Sequence, residues 1–426
     1  MKAEKKLAEN NIAVIGSGIS GLSTAWLLQQ KHKVVLYESK SHLGGHTNTV
    51  DITIDGVTFP VDTGFIVFND KTYPSLLQLF KNLKITRTKS DMSFSYSNPQ
   101  QNIYWSGKNI KSLFAQPKNL VNLNFWRMLV DILRFNSFKQ QLLTEKKNPG
   151  YTVEDFLREY GFSRSFRDWY LLPMAGAIWS CSPEEIKSYS LLSFIEFFDN
   201  HGLLQVTNHP QWYSVRGGAR EYVKKMEPEI SEIVKSTKVV KVKKCKSGID
   251  VVDESGQSRN FSHVVLASHA DQSLAVLDKP SPLEQSILGK IKFANNEAVL
   301  HTDESLLPEP KVLHSAWNFY ATPGKNNMPK VSVSYLLNLL QELPTKRKIM
   351  LTLNPNKKIA DKFVLDRFKY YHPVLDGEAR KGQMELKKIQ GVNNIWYCGA
   401  WTGNGFHESG LKSALKIAKQ FNIFMP

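Results

Sequence analysis

The sequence predicts an α/β protein, and three stretches carry that prediction. The first is Ile12-Ala-Val-Ile15, running into Gly16-Ser17-Gly18-Ile19-Ser20-Gly21, then Leu22 to Leu28, then Val34-Val-Leu-Tyr-Glu38. The second is Val264-Val-Leu-Ala267-Ser268, a strand feeding another helix. The third is Ile395-Trp-Tyr-Cys398-Gly399-Ala400, followed by a glycine-rich turn and a last helix. Apolar runs that do not alternate suit strands buried on both faces of a parallel sheet. Together they describe a Rossmann-like nucleotide domain, with the chain between them forming an inserted, mixed α+β domain.

In the first stretch each glycine has a physical reason. Gly16 makes the sharp turn off the strand, Gly18 lets a pyrophosphate approach the backbone, and Gly21 lets helix and strand pack closely. The helix that follows offers free N–H groups and its positive end to the phosphates. Glu38 stands 22 positions after Gly16, at the end of the second strand, where a carboxylate accepts from both ribose hydroxyls and repels a 2′-phosphate. The same turn without a ligand leaves the position of the acid unexplained.

At 426 residues the chain exceeds one ordinary domain, and 42% hydrophobic with 11% aromatic residues is a globular composition. No apolar run reaches the ~18 residues of a membrane span. Met1 to Lys6 is basic and Ile12 to Leu28 apolar, as in a secretion signal, but that run already serves as strand and helix. The expectation is a cytoplasmic protein, with peripheral attachment at the inner membrane face as its variant. Cys181, Cys245 and Cys398 are far apart, without metal-ligand or disulfide spacing, so no metal is expected.

The formal net charge is +16, from 55 basic and 39 acidic residues, which favours anionic surfaces. No nucleic-acid motif accompanies it, so nucleic acid is not an expected partner. From Ser106 to Gly150 there are eight Lys/Arg and two Asp/Glu. The same stretch holds Phe125, Trp126, Met128, Leu129, Val130, Ile132, Leu133 and Phe135, with Arg127, Asp131 and Arg134 as a narrow polar stripe at helical spacing. Two placements suit such a helix, burial in the inserted domain or the surface of an anionic membrane.

After Glu38, Ser39 leads to His42-Leu43-Gly44-Gly45-His46-Thr47, a loop suited to pass the pyrophosphate and ribityl chain, with Thr47 and Thr49 as hydroxyl partners. Here the sequence resembles the flavin-containing amine oxidase superfamily. Its members follow the acid with an arginine, a spacer, two glycines and a second arginine, and His42 and His46 occupy the two arginine places. Neutral imidazole offers one donor where guanidinium offers several, so phosphate binding is looser above the histidine pKa. Val50 to Ile66 alternates around Asp55-Gly56, a hairpin signal, and ends in Thr63-Gly64-Phe65-Ile66. By the resemblance, Gly64, Phe65 and Ile66 pass beside the isoalloxazine ring.

Phe65-Ile-Val-Phe-Asn69, Thr72-Tyr73-Pro74, Ser90 to Ser95 and Leu113 to Gln116 narrow the likeness. They resemble the FAD-binding domain at the N-terminal end of plant cyclopropane fatty acid synthases and its free-standing bacterial counterparts. The resemblance implies an amine-oxidase type fold divided as 1–72, 209–280 and 385–426 for the FAD domain, and 73–208, mostly helical, and 281–384, an antiparallel sheet, for the substrate domain. Thr152-Val-Glu-Asp155 and Ser182-Pro183-Glu-Glu185 read as helix starts, and Tyr170 to Trp179 as an apolar wall or ordinary core. Val215 to Arg220 opens a helix, and Lys238 to Val242 with Ile249 to Val252 forms a hairpin. By the resemblance, Val239 bonds the adenine through its backbone, and Ser268 follows the strand that returns the chain to the cofactor.

The last signal is Trp401-Thr-Gly403-Asn-Gly405-Phe406-His407-Glu-Ser-Gly410-Leu411, a turn entering a helix from Leu411 to Phe421. In flavin oxidases this turn passes the pyrimidine edge, and the helix dipole stabilises charge at O2 on reduction. Ala400 stands where the superfamily often has an acid. His407 is the one acid/base candidate, with a locally bonded histidine holding the turn as its alternative.

The resemblance implies hydride transfer from a C–H bond of an apolar substrate to flavin N5, with reoxidation by oxygen or another acceptor. Unsaturated or methylated acyl chains on phospholipid are the implied substrate, polyenes or porphyrinogens the alternatives. The positive charge disfavours a polyamine. The plant fusion also implies a lipid methyltransferase as partner, beside which the domain could serve as a flavin-stabilised scaffold without turnover.

Overall fold

A computed structural model describes residues 10–138, 150–179, 183–200, 210–322 and 330–426. Strand Asn11–Ile15 is the middle of a five-stranded sheet in which every pairing is parallel. Lys33–Tyr37 and then Glu232–Val234 lie on one side, His263–Leu266 and then Ile395–Tyr397 on the other. Ile12, Ala13 and Val14 are fully buried. Alternate side chains serve different cores, because successive Cβ atoms point to opposite faces of a strand. Ile12, Val14, Val34 and Leu36 pack with helices Ile19–Leu28 and His407–Gln420. Ala13, Ile15, Val35 and Tyr37 pack on the other face. That face is covered by a three-stranded antiparallel sheet of Val239–Cys245, Gly248–Asp253 and Ser258–Phe261.

A second, seven-stranded sheet runs Val364–Pro373, Phe293–His301, Met350–Leu353, Lys330–Leu336, Trp317–Thr322, Phe94–Asn98, Ile103–Ser106. Both parts of the inserted segment contribute to it. Residues 73–208 include strands Arg87–Ser90, Phe94–Asn98 and Ile103–Ser106 as well as helices. The strands within residues 281–384 pair antiparallel with one another, and Trp317–Thr322 also pairs in parallel with Phe94–Asn98. The alternation Ser93-Phe-Ser-Tyr-Ser97 is the strand signal that a helical reading of this segment passes over.

Hairpin Thr49–Ile54 and Val57–Asp62 bridges the two domains. Asp55 at φ 49° and Gly56 at φ 81° both adopt the left-handed conformation that a two-residue hairpin turn demands. Thr152 and Asp155 form the expected reciprocal cap on helix Val153–Glu159. A helix runs from Pro183 to Lys187, while Ser182 lies outside the described residues. The last helix begins at His407 rather than Leu411, which moves His407 from the turn into the first helical turn.

Helix Leu123–Ser137 starts at Asn122, whose side chain accepts from the N–H groups of Asn124 and Phe125. Its inner face buries Phe125, Met128, Asp131 and Phe135. Asp131 is therefore not part of an exposed polar stripe. Its carboxylate accepts from the Ser163 N–H at 2.9 Å.

Candidate functional site

Three glycines of the first turn sort by what a Cβ would meet. At Gly16 (φ +102°) it would press on the Ala267 carbonyl oxygen at 3.1 Å, and at Gly21 it would run into the Gly16 carbonyl. Packing of the chain on itself accounts for both. Gly18 differs, because its φ of −60° suits any residue and no atom lies within 4 Å of its Cβ position. The space above it is walled by the next loop, where Gly44 bridges Gly18 and a Cβ on Gly45 would reach the Gly18 Cα at 3.0 Å. Helix Ile19–Leu28 starts from this cradle without a capping side chain, so its first N–H groups remain for an anion.

Glu38 is buried, and four donors engage it. Oε2 accepts from Ser17 N–H at 3.0 Å and Ser17 Oγ at 2.5 Å, and Oε1 from Lys40 N–H at 2.9 Å and Ser39 Oγ at 3.1 Å. The two amides are fixed by the turn. The two hydroxyls rotate, and ribose hydroxyls can take their places on the carboxylate. The Glu38 carbonyl oxygen accepts from Thr237 N–H at 3.0 Å, which brings Val239, the first residue of its strand, to the adenosine end. At the opposite side of the turn, the Ser268 carbonyl accepts from Trp401 Nε1 at 3.0 Å, and Ser268 Oγ bonds Ser273 Oγ.

The two histidines in arginine places part company. His42 is exposed, whereas His46 lies between Gly45 and Thr47 with its Nε2 buried and unpartnered among the described residues. Its ring lies 5.2 Å from Tyr370, 5.6 Å from His372 and 6.2 Å from His269. Burial, with these imidazoles beside it, holds His46 well below the ordinary histidine pKa, and burial takes His372 down to about 4. These rings are neutral at physiological pH. Tyr370 hydroxyl bonds Thr63 Oγ1 at 2.9 Å and receives Asn48 Nδ2 at 3.0 Å, tying the sheet of the inserted domain to the loop carrying Gly64, Phe65 and Ile66. A Cβ on Gly64 would run into the His46 carbonyl, so loop and hairpin lie directly on one another. None of this histidine–tyrosine group except His46 was legible in the sequence, since its members are separated by up to 326 positions.

The C-terminal turn closes the site. Gly399 N–H donates to Ser413 Oγ at 3.0 Å, Gly405 has φ +85° against Pro373, and helix His407–Gln420 begins at Phe406 with no capping side chain. Gly410 lets this helix touch the other, since its Cβ would come within 2.8 Å of Ile19 Cγ2 and Ser20 Oγ, and Leu411 is fully buried behind it. The first turns of two uncapped helices thus meet. His407 is not open to a substrate. It stacks on Phe65 with centroids 3.6 Å apart, and its Nε2 bonds Thr47 Oγ1 at 2.9 Å and Tyr222 hydroxyl at 3.3 Å. Burial lowers its pKa to about 3. The arrangement supports the alternative role, a neutral histidine that holds the turn.

These features fit a dinucleotide whose pyrophosphate rests on Gly18, Gly45 and the Ile19 helix, with ribose at Glu38. The cradle that no side chain fills and the orphaned imidazole of His46 are left for a ligand. A family model for flavin containing amine oxidoreductase matches residues 19–421. The carotenoid phi-ring synthase of Chlorobaculum tepidum is 30% identical over 172 residues, 39% of this chain and 24% of that protein, so the chain spans about a quarter of that relative. Among solved structures, cyclohexylamine oxidase from Brevibacterium oxydans superposes with a TM-score of 0.70 at 15% identity, covering 97% of this chain and 100% of the other. The CLA-producing fatty acid isomerase from P. acnes does so with a TM-score of 0.67 at 13% identity, covering 98% and 100%. A dinucleotide site on a flavin-dependent fold takes FAD, and the chain is an FAD-dependent oxidoreductase of the flavin-containing amine oxidoreductase family.

Proposed function

We propose that the substrate is an apolar carbon chain, of the kind carried by an unsaturated or methylated acyl phospholipid, from which a hydride is removed. The observation that supports this reading is the composition of the core joining the flavin loop to the inserted sheet. Ile66 and Val67 pack in one cluster with Phe94, Tyr96, Trp105, Trp169, Tyr170, Met174, Phe319 and Phe368. Tyr96 stacks on Phe319 and Trp105 on Tyr170. Burial raises the phenols of Tyr96 and Tyr170, the latter to about 12, so both are neutral. Aromatic faces without a charged partner suit hydrocarbon and exclude water.

When bound, FAD supplies the two-electron acceptor. The chain's own work is then binding at Gly18 and Glu38, orientation through the Thr63–Tyr370 contact, and exclusion of water by the aromatic cluster. His407 and His46 are neutral, so neither ring offers a cation to an anionic headgroup.

Anaerobic mixing of the yellow protein with phospholipids of defined chains tests this. Loss of visible flavin absorbance with unsaturated or methylated chains, and none with putrescine or cyclohexylamine, is the expected result. Bleaching by amines alone overturns it. Bleaching by polyenes alone favours the second reading, a polyene substrate, for which the 172-residue match to a carotenoid enzyme speaks.

A further inference from the structure

Helix Leu123–Ser137 turns one apolar face inward and leaves a second one uncovered. Leu123, Trp126, Val130 and Leu133 recur at three- and four-residue steps and are exposed, Leu123 by 84%. The approach to the helix extends the patch, with Ile110 78% and Val121 83% exposed and Leu120 beside them. Single exposed apolar residues are ordinary, but a contiguous stripe of this length marks a binding surface.

The exposed charges of this segment have one sign. From Gly107 to Ser137 the exposed charged residues are Lys108, Lys111, Lys118, Arg127 and Arg134, and the single acid, Asp131, is buried. Lys108 lies 3.9 Å from Asp91 and Arg134 3.8 Å from Asp131. Lys111, Lys118 and Arg127 have no carboxylate within ion-pair distance among the described residues. Trp126 is held in place by its Nε1–H donating to the Leu120 carbonyl at 2.9 Å, a rigid amphipathic anchor at the centre of the patch.

We propose that this helix and the segment before it dock the protein on an anionic phospholipid bilayer. An apolar stripe whose own segment exposes cations and no acid matches the acyl boundary below and the anionic headgroups beside it, where each basic residue contributes about fivefold to binding. A protein partner of mixed charge would leave Lys111, Lys118 and Arg127 unmatched. Among the described residues no helix is long and apolar enough to cross a membrane, so the attachment lies in the interface. The inner face of the same helix, through Phe125 and Met128, belongs to the aromatic cluster at the flavin loop, and Phe114 contacts Phe125 and Trp126 at once. One helix thereby connects the lipid surface to the apolar core. The surface stands whether or not the substrate is an acyl chain.

Sedimentation of the FAD-loaded protein with vesicles of phosphatidylcholine, with and without phosphatidylglycerol, is the test. Binding is expected to the anionic vesicles alone, to fall with added salt, and to drop about fivefold in each of Lys118→Ala and Arg127→Ala. The double variant Val130→Asp, Leu133→Asp should lose binding while keeping its flavin and its unfolding temperature. Equal binding to neutral vesicles, no binding to either, or full binding by the double variant overturns the proposal. So does a dimer in solution that this variant abolishes while vesicle binding stays absent.

Discussion

The imidazole of His407 lies flat on the ring of Phe65, 3.6 Å between centroids and 15° from parallel. The flavin loop and the N-terminus of the last helix are thereby one unit, closed by the bond from His407 Nε2 to Thr47 Oγ1. Replacing His407 with Gln removes the stack and can keep a bond to Thr47. The expected cost is ~1 kcal/mol of stability, with flavin reduction slowed less than tenfold. A general base is worth roughly a hundredfold or more, so a loss of that size at full flavin occupancy would restore His407 to the chemistry.

Buried neutral histidines make the protein acid-sensitive. His407 is lowered to about 3, and His372 and His301 to about 4, each mainly by burial. A depressed histidine pKa contributes stability that is complete above the unfolded value near 6.5 and is lost as pH falls toward the folded one. The urea midpoint should therefore decline from about pH 6.5 downward, less steeply in His372→Gln, where one such group is removed. An identical slope in that variant would show that His372 does not contribute.

Asp62 acts in the opposite direction. It is buried, its Oδ1 accepts from Thr49 Oγ1 at 2.5 Å and Ala219 N–H at 2.8 Å, and its Oδ2 has no partner among the described residues. Burial raises its pKa to about 7. Its contribution is complete below the unfolded value near 4 and is lost as pH rises through about 7. Asp62→Asn keeps the Oδ1 acceptor and should match the parent near pH 4, then exceed it at pH 8 by up to ~4 kcal/mol. Equal differences at both pH values would mean that Asp62 does not titrate in this range.

Gly18→Ala should leave the apo-protein's unfolding temperature unchanged, since nothing in the chain meets the new methyl group, and should abolish FAD retention. Gly21→Ala should instead lower stability, through the clash with the Gly16 carbonyl. A yellow Gly18→Ala protein would remove the pyrophosphate from this cradle.

Glu38→Gln turns an amide N–H toward one of the backbone donors of Ser17 or Lys40, which the carboxylate now satisfies. Weakened charge-assisted hydrogen bonds should reduce FAD affinity by about 1.5–3 kcal/mol, roughly ten- to a hundredfold by flavin titration. An unchanged dissociation constant would place the ribose elsewhere.

What the sequence revealed follows the distance over which each feature is built. Asn11 to Glu38 form strand, turn, helix and strand within one continuous segment, so local chemistry specifies them. The strand Phe94–Asn98 has a local partner in Ile103–Ser106, but its place in the sheet depends on Trp317–Thr322, more than two hundred positions away. Sequence left the role of His407 open between acid/base chemistry and holding the turn, because only packing brings Phe65, Thr47 and Tyr222 against it. The stripe on helix Leu123–Ser137 was visible as apolar residues, but which face is covered depends on the sheet beneath.

The order of the parallel sheet has a consequence for synthesis. Asn11–Ile15 is made first, yet one of its two neighbours, His263–Leu266, lies about 250 residues later, and the strand beyond that arrives only with Ile395–Tyr397. At ~5–20 residues per second, the ribosome takes roughly ten to fifty seconds to supply that neighbour. Throughout that interval one edge of an apolar strand stands open to any other nascent chain. Expression yield should therefore respond to chaperone supply and to translation speed between residues 40 and 263 more than to the stability of the finished fold.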